Sequence, residues 1–257
     1  MSEIRAKKKL GQHFLIDRNI AQDIVGSLTV AENSLKILEI GPGTGVLTRI
    51  LIKKFGKDLF AVDIDPESVA FLKKNIPELE ERLLLGDFLS LDLASAFKGS
   101  FAVIGNFPYN ISTQILFKIL DNRDQVPMVV GMFQKEVAER IASGPGTKVY
   151  GIMSVLLQAF YRIEYLFTVS EEVFDPPPKV KSAVIRLTRN ETHQLNCDEK
   201  LFVRVVKAAF NQRRKMLRNG LKQFKLKAEF GSHPFLTDRA ERLSVKDFVE
   251  LTNMLEH

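Results

Sequence analysis

The sequence predicts an α/β protein: an open, mostly parallel β-sheet over residues 1–190 and a small α-helical domain over residues 191–257. Three observations carry this. Short apolar runs alternate with stretches of helical period, the pattern of parallel strands joined by crossover helices. The first run, Lys36 to Ile40, passes into Gly41-Pro42-Gly43-Thr44-Gly45 and then into a segment bearing Leu47, Ile50 and Leu51 at helical spacing. Beyond the polar stretch Thr188 to Asp198, the apolar residues Val205, Ala209, Leu217 and Leu221 keep a helical spacing.

Taken in order, Asp17 reads as the N-cap of a helix through Leu28, with Ile20, Ile24 and Leu28 on one face. Strands are expected at 36–40, 59–63, 82–85 and 101–105. Ser112 or Thr113 opens a helix carrying Ile115, Leu116 and Ile119. Val126 to Phe133 reads as a further buried strand, Gln134 to Ala142 as helix and Ile152 to Tyr161 as helix. Between the last two, Ser143 to Tyr150 is turn-rich and is expected to be a mobile loop near the site. Tyr165 to Val169 and Ser182 to Leu187 are β-rich and flank the prolines Pro176-Pro177-Pro178. The last domain is expected to hold one long helix, Leu201 to Phe224, then short helices at 238–243 and 245–255.

The strand tips carry the chemistry, because open α/β sheets bind ligands beyond the carboxyl ends of their strands. The glycine turn is GxGxG; the dinucleotide fingerprint GxGxxG places its third glycine one residue later, where Val46 stands. The second strand ends in Asp63, an acceptor for ribose hydroxyls. The third ends in Gly86-Asp87, whose carboxylate suits an adenine amino group. Singly, either acid also reads as a helix N-cap. The fourth runs into Asn106-Phe107-Pro108-Tyr109. Asn106 offers a side-chain carbonyl. Phe107 offers a main-chain carbonyl next to a proline, which has no N–H. Tyr109 offers a flat face for a base. That set suits gripping a planar amine; the plainer reading is a proline turn ending a strand.

Together these residues resemble the class I S-adenosylmethionine-dependent methyltransferases, which have a Rossmann-like sheet. Gly11-Gln12-His13-Phe14-Leu15, the glycine turn, Asn106-Phe107-Pro108-Tyr109-Asn110, Gln134-Lys135-Glu136-Val137, Phe174-Asp175-Pro176-Pro177-Pro178-Lys179-Val180 and Ala209-Phe210-Asn211-Gln212-Arg213-Arg214-Lys215 stand in one order. In that order the chain, from about Lys9 to Leu243, resembles the bacterial small-subunit ribosomal RNA adenine N6,N6-dimethyltransferases. The resemblance implies that Asn106, Phe107, Pro108 and Tyr109 are catalytic and that Phe174 closes the second face of the target base. It implies that His13, Leu15, Gly41, Gly43, Asp63, Ile64, Asp87, Phe88 and Asn106 bind S-adenosylmethionine, and that Tyr165–Val169 and Ser182–Leu187 form an antiparallel closing pair. Its substrate would be small-subunit ribosomal RNA in a pre-ribosomal particle. Three positions depart from the family pattern: His13 for Asn, Asp63 for Glu and Phe107 for Leu. Phe107 acts through its backbone, so its departure removes no required group.

Charge and composition bound the partners. The net charge is +6, and Phe202 to Lys227 holds nine Lys or Arg and no acid. Such a local field favours polyanions, so Arg213, Arg214, Lys215, Arg218 and Lys222 are expected to contact RNA; the plainer reading is a solvated helix face. Arg5, Lys7, Lys8 and Lys9 add a basic arm, expected to be flexible. No apolar stretch approaches the roughly 20 residues a membrane helix needs, and no signal peptide is seen. One cysteine, Cys197, excludes an internal disulfide and fits a cytoplasmic protein. His13, His193, His233 and His257 lack metal-ligand spacing, so no metal is expected. Leu255-Glu256-His257 reads as a tag remnant, and a monomer is expected. Three competing readings differ in class or target: a large-subunit adenine methyltransferase conferring macrolide resistance, a non-enzymatic assembly factor and a dehydrogenase, the last disfavoured by the glycine spacing.

Overall fold

Seven strands form the central sheet of the computed structural model, which describes residues 4–30 and 35–256. They are β1 (Lys36–Ile40), β2 (Leu59–Asp63), β3 (Leu83–Leu85), β4 (Phe101–Asn106), β5 (Met128–Gln134), β6 (Tyr161–Val169) and β7 (Ser182–Arg189). Their order is β3-β2-β1-β4-β5-β7-β6. β3, β2, β1, β4 and β5 run parallel, and β7 lies antiparallel to β5 with Met132 opposite Val184. Ile37, Leu38, Val103 and Ile104 are fully buried, as parallel strands covered on both faces must be. The strand order reverses at β1, and a sheet that reverses there opens a crevice beyond the ends of β1 and β4.

The local chemistry explains the elements. Asp17 caps the first helix, Arg18–Gly26, by accepting from the N–H groups of Asn19 and Ile20 at 2.8 and 3.0 Å. Asp65 caps the helix Pro66–Asn75, whose first residue is the proline that position favours. Gly41, Gly43 and Gly45 all have positive φ, so the β1 turn needs glycine on conformational grounds.

The chain divides into two compact units, one of Met1–Ala138 with Glu164–Arg189, the other of Glu139–Ile163 with Asn190–His257. The chain passes between the units after Ala138, Ile163 and Arg189, so residues 139–163 cluster with the second unit. Within that unit the turn-rich stretch 143–150 is anchored: Gly146 N–H donates to the Glu241 carbonyl at 2.6 Å, and Tyr150 is fully buried against Phe210.

Other expectations need correction. The helix ends at Gln158, and Tyr161 already opens β6. The long basic helix is broken: Glu199–Asn211 stops, and a short helix resumes at Leu217–Gly220. Three adjacent cations, Arg213, Arg214 and Lys215, fill the break, and Leu217 N–H leaves the helical ladder to donate to the Asp238 carbonyl at 2.8 Å. The basic arm is tied down, since Lys7 Nζ lies 2.6 Å from Asp65 and 3.0 Å from Glu67. Leu255 is buried and bridges Leu226, so residues 255 and 256 belong to the fold, while His257 lies outside the described residues.

Candidate active site at the strand tips

Beyond β1, β2 and β4 lies a cleft in the first unit. It gathers eleven expected site residues: Gly41 and Gly43 from the β1 turn, Asp63 and Ile64 after β2, Asp87 and Phe88 after β3, Asn106 to Tyr109 after β4, and His13. A Cβ on Gly41 would meet nothing nearer than Pro108 Cδ at 3.8 Å, so any side chain there would fill the cleft. Gly43 is needed for another reason: a Cβ would come within 2.9 Å of the Phe14 ring.

Asp63 is 6% exposed and anchors the glycine turn. One oxygen accepts from Gly43 N–H at 3.2 Å and the other from Asp65 N–H at 2.9 Å. Burial raises its pKa against the pull of those two N–H groups. A carboxylate oxygen has two lone pairs, so each can still take a hydroxyl from the cleft. Asp63 is not the helix cap; Asp65 is. Asp87 does cap a short turn, accepting from Leu89 N–H at 2.9 Å, and also lines the cleft. Ile64 is 52% exposed, an apolar face left open to the cleft.

The fourth tip is held by three contacts. Asn106 Nδ2 donates to the His13 carbonyl at 2.8 Å. A carbonyl only accepts, so the amide nitrogen must face it and Oδ1 is left to accept. The Pro108 carbonyl accepts from Ile111 N–H and the Tyr109 carbonyl from Ser112 Oγ, whereas the Phe107 carbonyl accepts from no described residue. The Tyr109 hydroxyl bonds Ser182 Oγ at 2.5 Å, and burial holds it in its neutral form. His13 stacks on Tyr109 with ring centres 5.5 Å apart, and its Nδ1 donates to the Pro176 carbonyl at 2.8 Å.

Two expected residues are absent from this cleft. Leu15 and Phe174 pair across a short antiparallel ladder, are 4% and 2% exposed, and join the apolar core. Leu15 lines two neighbouring recesses instead, one with Glu39, Gly41 and Asn106 and the other with Ile16, Arg18 and Asp175. Phe174 therefore packs as a core residue and offers no face to a base here. Sequence reasoning missed Leu10, Gly11, Gln12 and Phe14, which line the cleft, and the buried Glu39. An unbroken lining from residue 10 to 14 signals a strap lying along the cleft, a placement no periodicity reveals. Of the expected RNA contacts, Arg214, Lys215, Arg218 and Lys222 are exposed, whereas Arg213 lies 3.8 Å from Glu241 and donates to the Thr147 carbonyl. Among the described residues no group of three or more His, Cys, Asp or Glu is placed to hold a metal, and no helix is long and apolar enough to cross a membrane.

The family model described as "Ribosomal RNA adenine dimethylase" matches residues 3–257. This chain belongs to that family. A curated relative from Cytophaga hutchinsonii, named ribosomal RNA small subunit methyltransferase A, is 60% identical over 255 residues, covering 99% of each chain. One of the same name from Parabacteroides distasonis is 58% identical, covering 98% of this chain and 94% of its own. Among solved structures, a dimethyladenosine transferase from Plasmodium falciparum superposes with a TM-score of 0.76 at 24% identity, covering 95% of this chain and 99% of its own. The 23S rRNA methyltransferase ErmE does so with 0.69 at 22%, covering 93% and 99%. The fold is thus that of the class I S-adenosylmethionine-dependent methyltransferases, and this adenine dimethylase carries its glycine turn and its Asn-Phe-Pro-Tyr tip on one cleft.

Proposed function

We propose that this adenine dimethylase acts on two adjacent adenines near the 3′ end of small-subunit ribosomal RNA, inside an assembling cytoplasmic particle, as a monomer. The reaction gives N6,N6-dimethyladenine, and S-adenosylmethionine is the methyl donor. The small-subunit target is supported by the names of relatives at 60% and 58% identity; the likeness to ErmE is one of fold alone.

The cleft suits the donor. Gly41 leaves its floor open, Asp63 and Asp87 present carboxylates for ribose hydroxyls and an amino group, and exposed Ile64 offers an apolar face for the adenine. When bound, the donor's sulfonium supplies a methyl group already activated for transfer, so the protein's contribution is alignment and electrostatics.

Adenine N6 is a weak nucleophile because its lone pair is delocalised into the ring. Two acceptors holding both N–H bonds draw the nitrogen towards tetrahedral geometry and localise that pair. Asn106 Oδ1 and the Phe107 carbonyl are those acceptors. The single observation that carries this reading is the Asn106 Nδ2 bond to the His13 carbonyl, which leaves Oδ1 as the acceptor. The target base must leave its stack, and stacking on Tyr109, worth about 1–3 kcal/mol, offsets much of that cost. The substituted nitrogen then sheds its proton without a strong base. In the second unit, Arg214, Lys215, Arg218 and Lys222 hold RNA phosphates.

The test is nucleoside mass spectrometry and primer extension after incubating enzyme and donor with both ribosomal subunits lacking the modification. Dimethyladenosine confined to small-subunit RNA is expected. Methylation of large-subunit RNA alone would overturn the assignment.

A further inference from the structure

We propose that Gly131, on the strand beside the catalytic tip, is a positioning residue for the main-chain acceptor at Phe107. The inference rests on the reading above, in which that carbonyl holds the target amine.

Phe107 is 1% exposed although it belongs to the tip that lines the cleft. Its ring lies across two glycines that are register partners, Gly105 on β4 and Gly131 on β5. A Cβ on Gly131 would come within 2.5 Å of Phe107 Cε2 and 2.6 Å of Phe133 Cε2. A Cβ on Gly105 would come within 2.8 Å of Phe107 Cε1 and 2.6 Å of the Ile40 carbonyl oxygen. Neither glycine has a positive φ, so neither is required by backbone conformation. Both are required by volume.

The two sites differ in what a substitution would displace. At Gly105 the obstacle includes the β1 backbone, which cannot yield. At Gly131 both obstacles are ring edges, and they pack edge-to-face with centres 5.2 Å apart. An added methyl group at 131 therefore lifts the Phe107 ring. That ring is joined through one Cα to the carbonyl that must meet the amine. The other anchor of residue 107 is weak: its N–H reaches the Met132 carbonyl at 3.3 Å. Moving the ring thus moves the acceptor. Where a smaller leucine stands at 107, the demand for glycine at 131 lapses, because Phe133 can swing into the space released. The Phe107 departure and Gly131 form one coupled unit.

The experiment compares wild type, N106A, G131A, G105A, F107L and F107L/G131A by steady-state methylation of unmodified small subunits at 25 °C, thermal unfolding and calorimetric binding of S-adenosylmethionine. G131A is expected to fold and bind the donor as wild type does, with kcat down about 10- to 100-fold, the effect of misplacing a reacting group by a fraction of an ångström to 1 Å. F107L/G131A is expected to recover kcat to the level of F107L, a coupling that only neighbours show. G105A is not rescued by F107L. A G131A enzyme with a lower Tm but wild-type kcat would make Gly131 a packing residue and overturn the proposal. So would a loss of kcat that F107L fails to restore. If G131A does not fold, the double variant decides: folded and active supports the coupling, folded and inactive refutes it. N106A at the wild-type rate would overturn the underlying reading, and the proposal with it, whereas loss in N106A with no loss in G131A would sink the proposal alone.

Discussion

Replacing Glu39 by Gln should remove much of the decline of stability with rising pH. Glu39 is 1% exposed in β1, and its Oε2 accepts from Thr48 Oγ1 at 2.7 Å. Burial pushes its pKa from 4.5 up to about 8; the Asp63 charge adds to the rise, and the Thr48 bond opposes it. The fold therefore favours the neutral acid. That stabilisation is fully present below pH 4.5 and disappears as pH rises through about 8. From 4.5 to about 8, at ~1.4 kcal/mol per pH unit, the loss has a ceiling of ~5 kcal/mol. Glutamine keeps the shape and a partner for Thr48 but cannot ionise. Urea unfolding followed by circular dichroism from pH 5 to pH 9 should give a falling curve for wild type and a flatter one for Glu39→Gln, with the variant the more stable at the alkaline end. Parallel curves would refute the reasoning, for they would mean that water reaches the carboxylate and no proton is held there.

Asn106→Ala should lower kcat by about 10²- to 10³-fold, the scale for losing one preorganised electrostatic contact, while S-adenosylmethionine affinity measured by calorimetry changes far less. Tyr109→Ala should cost about 1–3 kcal/mol in kcat/KM for RNA, and Tyr109→Phe much less, since the ring survives and only the Ser182 bond goes. RNA affinity should fall steeply with salt, and replacing Arg214, Lys215 and Lys222 should flatten a plot of log affinity against log salt by roughly 0.7–0.9 for each phosphate no longer neutralised. Lys7→Ala should raise the KM for S-adenosylmethionine, since Lys7 ties residues 7–13 to Asp65; a Michaelis curve in donor concentration tests it.

Much of the fold was legible because strand and helix periods are strong local signals. β1 and β2 fall where the apolar runs end in a glycine and an acid, since those residues terminate a buried strand and face water or ligand. The place of Asn106 to Tyr109 at a strand end was legible for the same reason, since an apolar run stops there at a polar residue and a proline. Leu15 and Phe174 were not. Their expected roles follow from neighbouring motifs, yet the ladder pairing Phe14 with Asp175 and Leu15 with Phe174 turns both side chains into the core. A register of this kind joins segments about 160 residues apart and leaves no local trace. The basic helix failed differently: its apolar period continues across Gln212 to Met216, but tertiary contacts such as Leu217 with Asp238 override the propensity. Glu39 escaped notice because an acid inside an apolar strand shows its meaning only when its burial is known.

The residues 7–13 join the two halves of the chemistry. At one end, Lys7 Nζ and Gln12 Nε2 donate to Asp65 at 2.6 and 3.2 Å, and Asp65 N–H donates to Asp63, the acid expected at the ribose. At the other, the His13 carbonyl fixes the Asn106 amide. An amide free to rotate would present its NH₂ as readily as its oxygen, and an NH₂ facing N6 repels the hydrogens it should bind. One carbonyl removes that ambiguity before the substrate arrives. Leu10 to His13 of this segment line the cleft proposed for the donor, so on that proposal ordering the segment orders both partners of the transfer. Preorganisation of that kind is what a methyltransferase without a general base has to supply, because the methyl group is already activated and only the nitrogen's geometry remains to be set.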